Sequence, residues 1–333
     1  MRSRNVLAAL LAIVACGGSP RPLTTGGGTG SGSAVVAPAS GDDVPLAMWK
    51  DVKKGVLPNG LTYYVLPHHK PEKRAFLWLA VNAGAVLEDD DQRGLAHFDE
   101  HMAFNGTKRF PKDAIVNYLQ SIGMRFGADL NARTTFDDTM YQLQVPTDNK
   151  EFIAKGFEIL RDWAGDVSYE PGEVDKERGV VLEEWRLDRN AGMRLFTKHA
   201  QALLKGTRYP DRIPIGLPET IKGASRDTLY RFYKDWYRPD LSAVIAVGDF
   251  DDPAAIEAQI QKTFGDLKNP DKERPRPQAG VPKADGTRVS IELDKELPNA
   301  QIEVANLIPE RFQITARDYR REIVQLVFLT ILN

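Results

Sequence analysis

The sequence predicts an α+β fold, and three observations carry that expectation. Asn59-Gly60 stands just before the β-branched and aromatic run Leu61 to Leu66, the signature of a hairpin. Ala75 to Ala83 and Leu241 to Val247 are short, continuous apolar runs of buried-strand length. Between them lie segments whose apolar residues recur at helical spacing, such as Ala114, Ile115, Tyr118, Leu119 and Ile122.

Before the fold come two segments of a different kind. Arg2 and Arg4 precede the apolar run Val6 to Val14, too short to span a bilayer but suited to a secretory leader. The run ends in Ile13-Val14-Ala15-Cys16, which resembles a bacterial lipobox. That resemblance implies cleavage before Cys16, lipidation of Cys16 and, with Gly17 following, an outer-membrane lipoprotein facing the periplasm; an ordinary leader that contains a cysteine is the alternative. Residues 16–45 are rich in Gly, Ser, Pro and Thr and read as a flexible tether. Cys16 is the only cysteine of the chain, which excludes an intrachain disulfide and a thiolate metal cluster. A net charge of −2 leaves no basic footprint for nucleic acid.

In chain order, the hairpin is followed by the strand Ala75 to Ala83, which Gly84 ends. Glu88, Asp89, Asp90 and Asp91 then form a loop, expected to be solvated and to favour the next helix N-terminus by charge. That helix carries His97, Glu100 and His101 and stops near Asn105-Gly106. Four residues apart, the two imidazoles lie about 40° apart around the axis and can point at one ion. Glu100 lies about 60° to the other side of His97, within reach of a water on that ion. Two imidazoles, an open position and a nearby carboxylate base are what a hydrolytic zinc centre requires. H-x-x-E-H is the inverse of the common zinc-peptidase order, although a His pair with a Glu on a solvated helix face gives the same letters.

Further helices are expected over Lys112 to Ile122, Asn149 to Gly165 and Pro171 to Arg189, with polar turn residues and a strand, Met140 to Val145, between the first two. In the last helix Glu177 and Glu184 are seven residues apart and share a face to within about 20°, while Glu183 points about 100° away. If this helix gives a third ligand, Glu184 is the candidate and Glu177 its neighbour. Spacing alone favours an exposed acidic stripe paired with Lys176, Arg178 and Arg186. Helices Met193 to Leu204, Ser225 to Trp236 and Pro253 to Phe264 surround the strand Leu241 to Val247. Prolines and glycines then mark a linker over 267–286. Val289 to Leu293 and Ile302 to Ala305 read as strands and Ala316 to Leu332 as an apolar-faced helix, together an incomplete start of a second domain at 287–333 after a first at 46–266. His68-His69 reads as an exposed loop, and His199 as a surface or satisfied core residue.

Taken together, Gly94 to Thr107 (GLAHFDEHMAFNGT), FGADLNARTTFDDTMYQLQVP, KERGVVLEEWR and YRPDLSAVIAVGDFD resemble, in order, the pitrilysin/insulinase family of zinc metallopeptidases, the inverted zincins. The resemblance covers most of residues 45–266. It implies a mostly antiparallel sheet flanked by helices, as in mitochondrial-processing-peptidase-like metallohydrolases. It also implies Zn²⁺ held by His97, His101 and Glu184, with Glu100 as general base and Glu177 assisting. The separation of 83 positions from His101 to Glu184 is long for the family, which leaves Glu183 a lesser possibility. Asn131, Ala132 and Thr134 would line the cleft beside an edge strand that takes a peptide in extended form.

Two departures stand out. Asp99 replaces the family's apolar residue and faces about 160° from both histidines, where a buried carboxylate would loosen the packing or be protonated. Family members also close a chamber from two or four homologous halves, the later half supplying an arginine and a tyrosine that have no assigned position here. A second half-chain or a homo-oligomer is the implied partner. The resulting expectation is a zinc metalloendopeptidase acting on peptides or unfolded polypeptides. The alternative is a non-catalytic peptide-binding or partner subunit of a split peptidase.

Overall fold

Strand patterns in the sequence become one six-stranded sheet in the computed structural model, which describes residues 41–277, 279–280, 286–307 and 312–332. The expected leader, the lipidation site Cys16 and residues 16–40 of the tether lie outside the described residues. The chain divides into two compact units, one holding residues 51–307 and the other residues 41–50 with 312–332.

In the larger unit the Asn59-Gly60 turn joins β1 (Lys53–Val56) to β2 (Thr62–Pro67), antiparallel as expected. β3 (Arg74–Val81) buries every second residue, so Ala75, Leu77, Leu79 and Val81 form one core face. After it come α1 (Leu95–Met102) and α2 (Ala114–Ser121). Then come β4 (Leu130–Thr134), β5 (Thr139–Pro146), α3 (Lys150–Gly165), α4 (Pro171–Asp188), α5 (Ala191–Leu203), α6 (Pro218–Gly223) and α7 (Arg226–Trp236). β6 (Ser242–Gly248) and α8 (Pro253–Phe264) follow. The sheet order is β1-β2-β6-β3-β5-β4, with only the β2–β6 pair parallel. Leu77 of β3 faces Leu143 of β5 on one side and Ala246 of β6 on the other. The buried face packs with Phe157, Leu160 and Trp163 of α3 in a single core. This is the α+β, mostly antiparallel architecture expected.

Three local expectations need correction. The stretch read as polar turn residues before Met140 contains β4, an edge strand of the sheet. Its composition (LNART) lacks the β-branched run that marks interior strands, because one edge and one face meet solvent. The acidic loop is not uniformly solvated: Glu88 is fully buried, and Asp89, Asp90 and Asp91 pair with Arg274, Arg212 and Arg231. Val289–Leu293 and Ile302–Ala305 belong to no strand among the described residues. A strand needs a neighbouring backbone to take its hydrogen bonds. Here the polar side of the segment lies along α5 instead, through Arg194 to Asp294 at 2.7 and 2.8 Å and Arg288 to the carbonyl of Ala202 at 3.1 Å.

In the smaller unit α9 (Ala316–Leu332) forms as expected and buries none of its residues. Leu46 N–H donates to the Ile314 carbonyl at 2.7 Å, and Arg317 pairs with Asp43 at 2.8 Å. No helix among the described residues is long and apolar enough to cross a membrane.

Candidate metal centre

Helix α1 enters the core by way of Leu95, Phe98 and Met102, which leaves His97 and His101 on its opposite, half-buried side. Its N-terminus is fixed from two directions. Gly94 adopts φ 100° and lies so close to Gly216 that a Cβ on Gly94 would come within 2.8 Å of the Gly216 Cα. Glu88 Oε1 accepts from Gly94 N–H at 3.0 Å and Ala96 N–H at 2.9 Å, satisfying donors the helix cannot pair itself. At the other end Trp163 Nε1 donates to the Ala103 carbonyl at 2.8 Å.

Helix α4 crosses beside it. Arg178 donates to the carbonyls of Ile221 and Ala224, and Trp185 Nε1 to that of Gly216 at 3.2 Å. This holds the Glu177–Glu184 face toward α1 rather than toward solvent, against the acidic stripe that spacing alone favours. Glu183 points away and pairs with Arg186 at 2.5 Å, so it has no part in the cluster. Lys176 and Arg178 pair with Glu173 and Asp175, not with the Glu177–Glu184 face.

The Nε2 atoms of His97 and His101 are 3.3 Å apart. Glu184 Oε2 lies 3.2 Å from His101 Nε2, and Glu184 Oε1 3.6 Å from His97 Nε2. These three residues could hold one metal ion. Ligands about 2.0–2.1 Å from a tetrahedral zinc stand about 3.3–3.4 Å apart, so the donor set and its spacing fit that ion. Behind the cluster, Glu177 Oε1 lies 2.8 Å from His101 Nδ1, and Asn105 Nδ2 donates to Glu177 Oε2 at 2.8 Å. His97 Nδ1 is buried with no hydrogen-bond partner among the described residues.

Electrostatics separates the two rings. Burial, and then the neighbouring His101 charge, pushes His97 down to about 4. Burial opposes charge on His101 too, but hydrogen bonds to Glu177 and Glu184 outweigh it and hold it up at about 9. Glu100 is 8% exposed, and burial raises it to about 6 against the pull of the Thr134 hydrogen bond and the His101 charge. Thr134 Oγ1 donates to Glu100 Oε2 at 2.6 Å.

The other residues that the sequence singles out divide. Ala132 and Thr134 share the half-buried face of β4, whereas Asn131 sits exposed on the other and accepts the Ala132 N–H with Oδ1 at 2.9 Å. His69 is exposed and lies 2.6 Å from Asp249. His199 is half-buried, its Nε2 without a hydrogen bond among the described residues. Three contributors escape a reading of the sequence: Glu88, Asn105 and Tyr169, which donates to Asp99 Oδ1 at 2.9 Å. Only Asn105 carries a usable signal, four residues past His101 on the same helical face.

A pair of histidines and a buried carboxylate on one helix, a second carboxylate from another helix, and an open-edged, mostly antiparallel sheet beside them define the class of inverted zinc-peptidase sites. The profile described as Insulinase (Peptidase family M16) matches residues 63–207, and that of the Peptidase M16 inactive domain matches residues 223–333. The chain is 39% identical over 279 residues, 84% of its length, to the "Zinc protease PQQL-like" of Arabidopsis thaliana. It is 41% identical over 202 residues, 61% of its length, to the "Probable zinc protease PqqL" of Escherichia coli. These spans are 29% and 22% of the two relatives. The crystal structure of the first half of the periplasmic protease PqqL from Escherichia coli superposes with a TM-score of 0.68 at 36% identity, covering 72% of this chain and 51% of that one. The chain belongs to the insulinase family of zinc metallopeptidases, peptidase family M16.

Proposed function

We propose that this chain is the metal-binding part of a zinc-dependent endopeptidase in which His97, His101 and Glu184 hold the ion and Glu100 moves the proton. The observation that carries the reading is the convergence of two Nε2 atoms and one carboxylate at 3.2–3.6 Å, beside a buried acid one residue before His101. Held by His97, His101 and Glu184, a zinc ion would supply Lewis acidity for a peptide carbonyl and lower the pKa of a bound water toward neutrality.

The protein's own groups do the rest. Glu177 accepts a hydrogen bond from His101 Nδ1–H, which fixes the tautomer in which Nε2 presents its lone pair. Asn105 holds Glu177 in turn. Glu100, raised to about 6 by burial, is basic enough to take a proton from the attacking water and acidic enough to return it to the leaving amine. β4 lies at the sheet edge, so an extended peptide can add to it as a further strand. Asn131 and Ala132 border that edge, and main-chain pairing there selects for extended shape more than for sequence.

We read residues 287–333 as the opening of a second domain; the inactive-domain match covers them but begins at residue 223, within the first. A second half-chain or another copy would complete the substrate chamber. We read the leader and Cys16 as a lipid anchor on the periplasmic side, supported by the sequence pattern and by the periplasmic relative.

Metal analysis and a quenched-peptide assay on the purified chain and its Glu100→Gln variant test the proposal. The variant is expected to keep stoichiometric zinc while hydrolysis falls about 10²–10⁴-fold. Undiminished hydrolysis by the variant would remove Glu100 from the reaction. A wild-type chain that binds zinc and cuts no peptide would instead be a binding or partner subunit.

A further inference from the structure

The helix that carries the base and the strand at the sheet edge meet through one short hydrogen bond. Thr134 is the last residue of β4, and its Oγ1 lies 2.6 Å from Glu100 Oε2. That length is typical of a hydroxyl donating to an ionised carboxylate. The direction of the bond is set from behind. Thr139, the register partner of Thr134 on β5, donates its own hydroxyl to the Ala83 carbonyl at 2.9 Å. Its Oγ1 is 3.5 Å from Thr134 Oγ1, much the weaker acceptor of the two. The Thr134 proton therefore goes to Glu100. Glu100 Oε1, by contrast, has no hydrogen bond among the described residues.

We infer that Thr134 is the positioning residue for the Glu100 base, holding one carboxylate oxygen so that the other faces the reacting atoms. This rests on the proposed role of Glu100, and it gives Thr134 a duty different from lining the cleft. A β-branched residue on a strand has few χ1 options, so the hydroxyl is held in place by the backbone. The strand to which a peptide would add therefore also fixes the orientation of the base. Without the hydroxyl, a glutamate side chain with three rotatable bonds has no other hydrogen-bond donor among the described residues to fix its carboxylate.

The test compares Thr134→Val, nearly isosteric but without the hydroxyl, with Thr134→Ser, which keeps it, and with Glu100→Gln, all zinc-loaded. Thr134→Val should retain stoichiometric zinc and lose about 10–100-fold in kcat, the effect of one hydrogen bond to a charged group, with KM within about threefold. Thr134→Ser should recover most of that loss. Crystal structures should find the Glu100 carboxylate displaced in Thr134→Val and restored in Thr134→Ser. A raised KM with unchanged kcat would make Thr134 a substrate contact and overturn the inference. So would an impaired Thr134→Ser, or an undisplaced Glu100 in Thr134→Val. If Glu100→Gln itself hydrolyses normally, the base assignment fails, and the crystallographic comparison still decides whether Thr134 orients Glu100.

Discussion

Asp99 stands two residues from each histidine on the packed side of α1, 1% exposed, with burial pushing its carboxyl well above the usual range. From sequence this position is a liability, and Asp99→Leu is expected to stabilise. The structure changes the balance by supplying a partner. Tyr169 Oη donates to Asp99 Oδ1 at 2.9 Å, while Oδ2 is buried with no hydrogen bond among the described residues. Asp99→Leu removes a half-satisfied carboxyl but strands the hydroxyl of a fully buried tyrosine, a penalty of about 1–3 kcal/mol. Removing both polar groups together avoids it. Asp99→Leu/Tyr169→Phe should therefore melt above both Asp99→Leu and the wild type, and Tyr169→Phe alone should melt below the wild type. A thermal-melt cycle in which the double variant falls below the wild type would show that the pair contributes net stability.

Among the elements, α1 is the most legible in the sequence and the loop before it the least. His97, Glu100 and His101 share one helix, so the 3.6-residue period alone puts them together. Glu184 is a different matter, because spacing cannot say which neighbour an acidic face meets. That is decided by Arg178 and Trp185 anchoring α4 to distant carbonyls, and the family resemblance supplies what spacing cannot. β4 is hidden by its composition, and Glu88 by three acidic neighbours with the same local signature. Glu88 is also where the element makes a pH prediction. Burial outweighs the Ala96 and Gly94 hydrogen bonds and raises its carboxyl to about 8 from 4.5. Between those values the folded chain keeps a proton that the unfolded chain has released, so stability falls as pH rises through the window. Glu88→Gln keeps an acceptor for Gly94 and Ala96 and removes the titration. Its melting temperature should vary less between pH 5 and 8 than that of the wild type, and equal slopes would rule out Glu88 as the source.

Across the whole molecule, the proposed ion joins two helices whose ligands are 83 residues apart in sequence, His101 on α1 and Glu184 on α4. An ion held by the folded chain and not by the unfolded one stabilises through mass action, by about 4 kcal/mol when free metal is a thousandfold above Kd. For a unit of this size each kcal/mol shifts Tm by about 2–4 °C, so chelation should lower melting by roughly 8–16 °C. The sheet and the α3 core do not depend on those ligands, so the stripped chain should still melt cooperatively. Two variants make the shift specific. Glu100→Gln leaves all three proposed ligands in place and should keep the full chelator effect, although it removes the proposed base. His101→Ala removes a ligand and the Glu177 contact with it, and should melt at one temperature with or without chelator. If chelation leaves the wild type unmoved, or moves His101→Ala by as much, then His97, His101 and Glu184 do not jointly hold an ion. The short distances among them would then reflect a proton shared between imidazole and carboxylate.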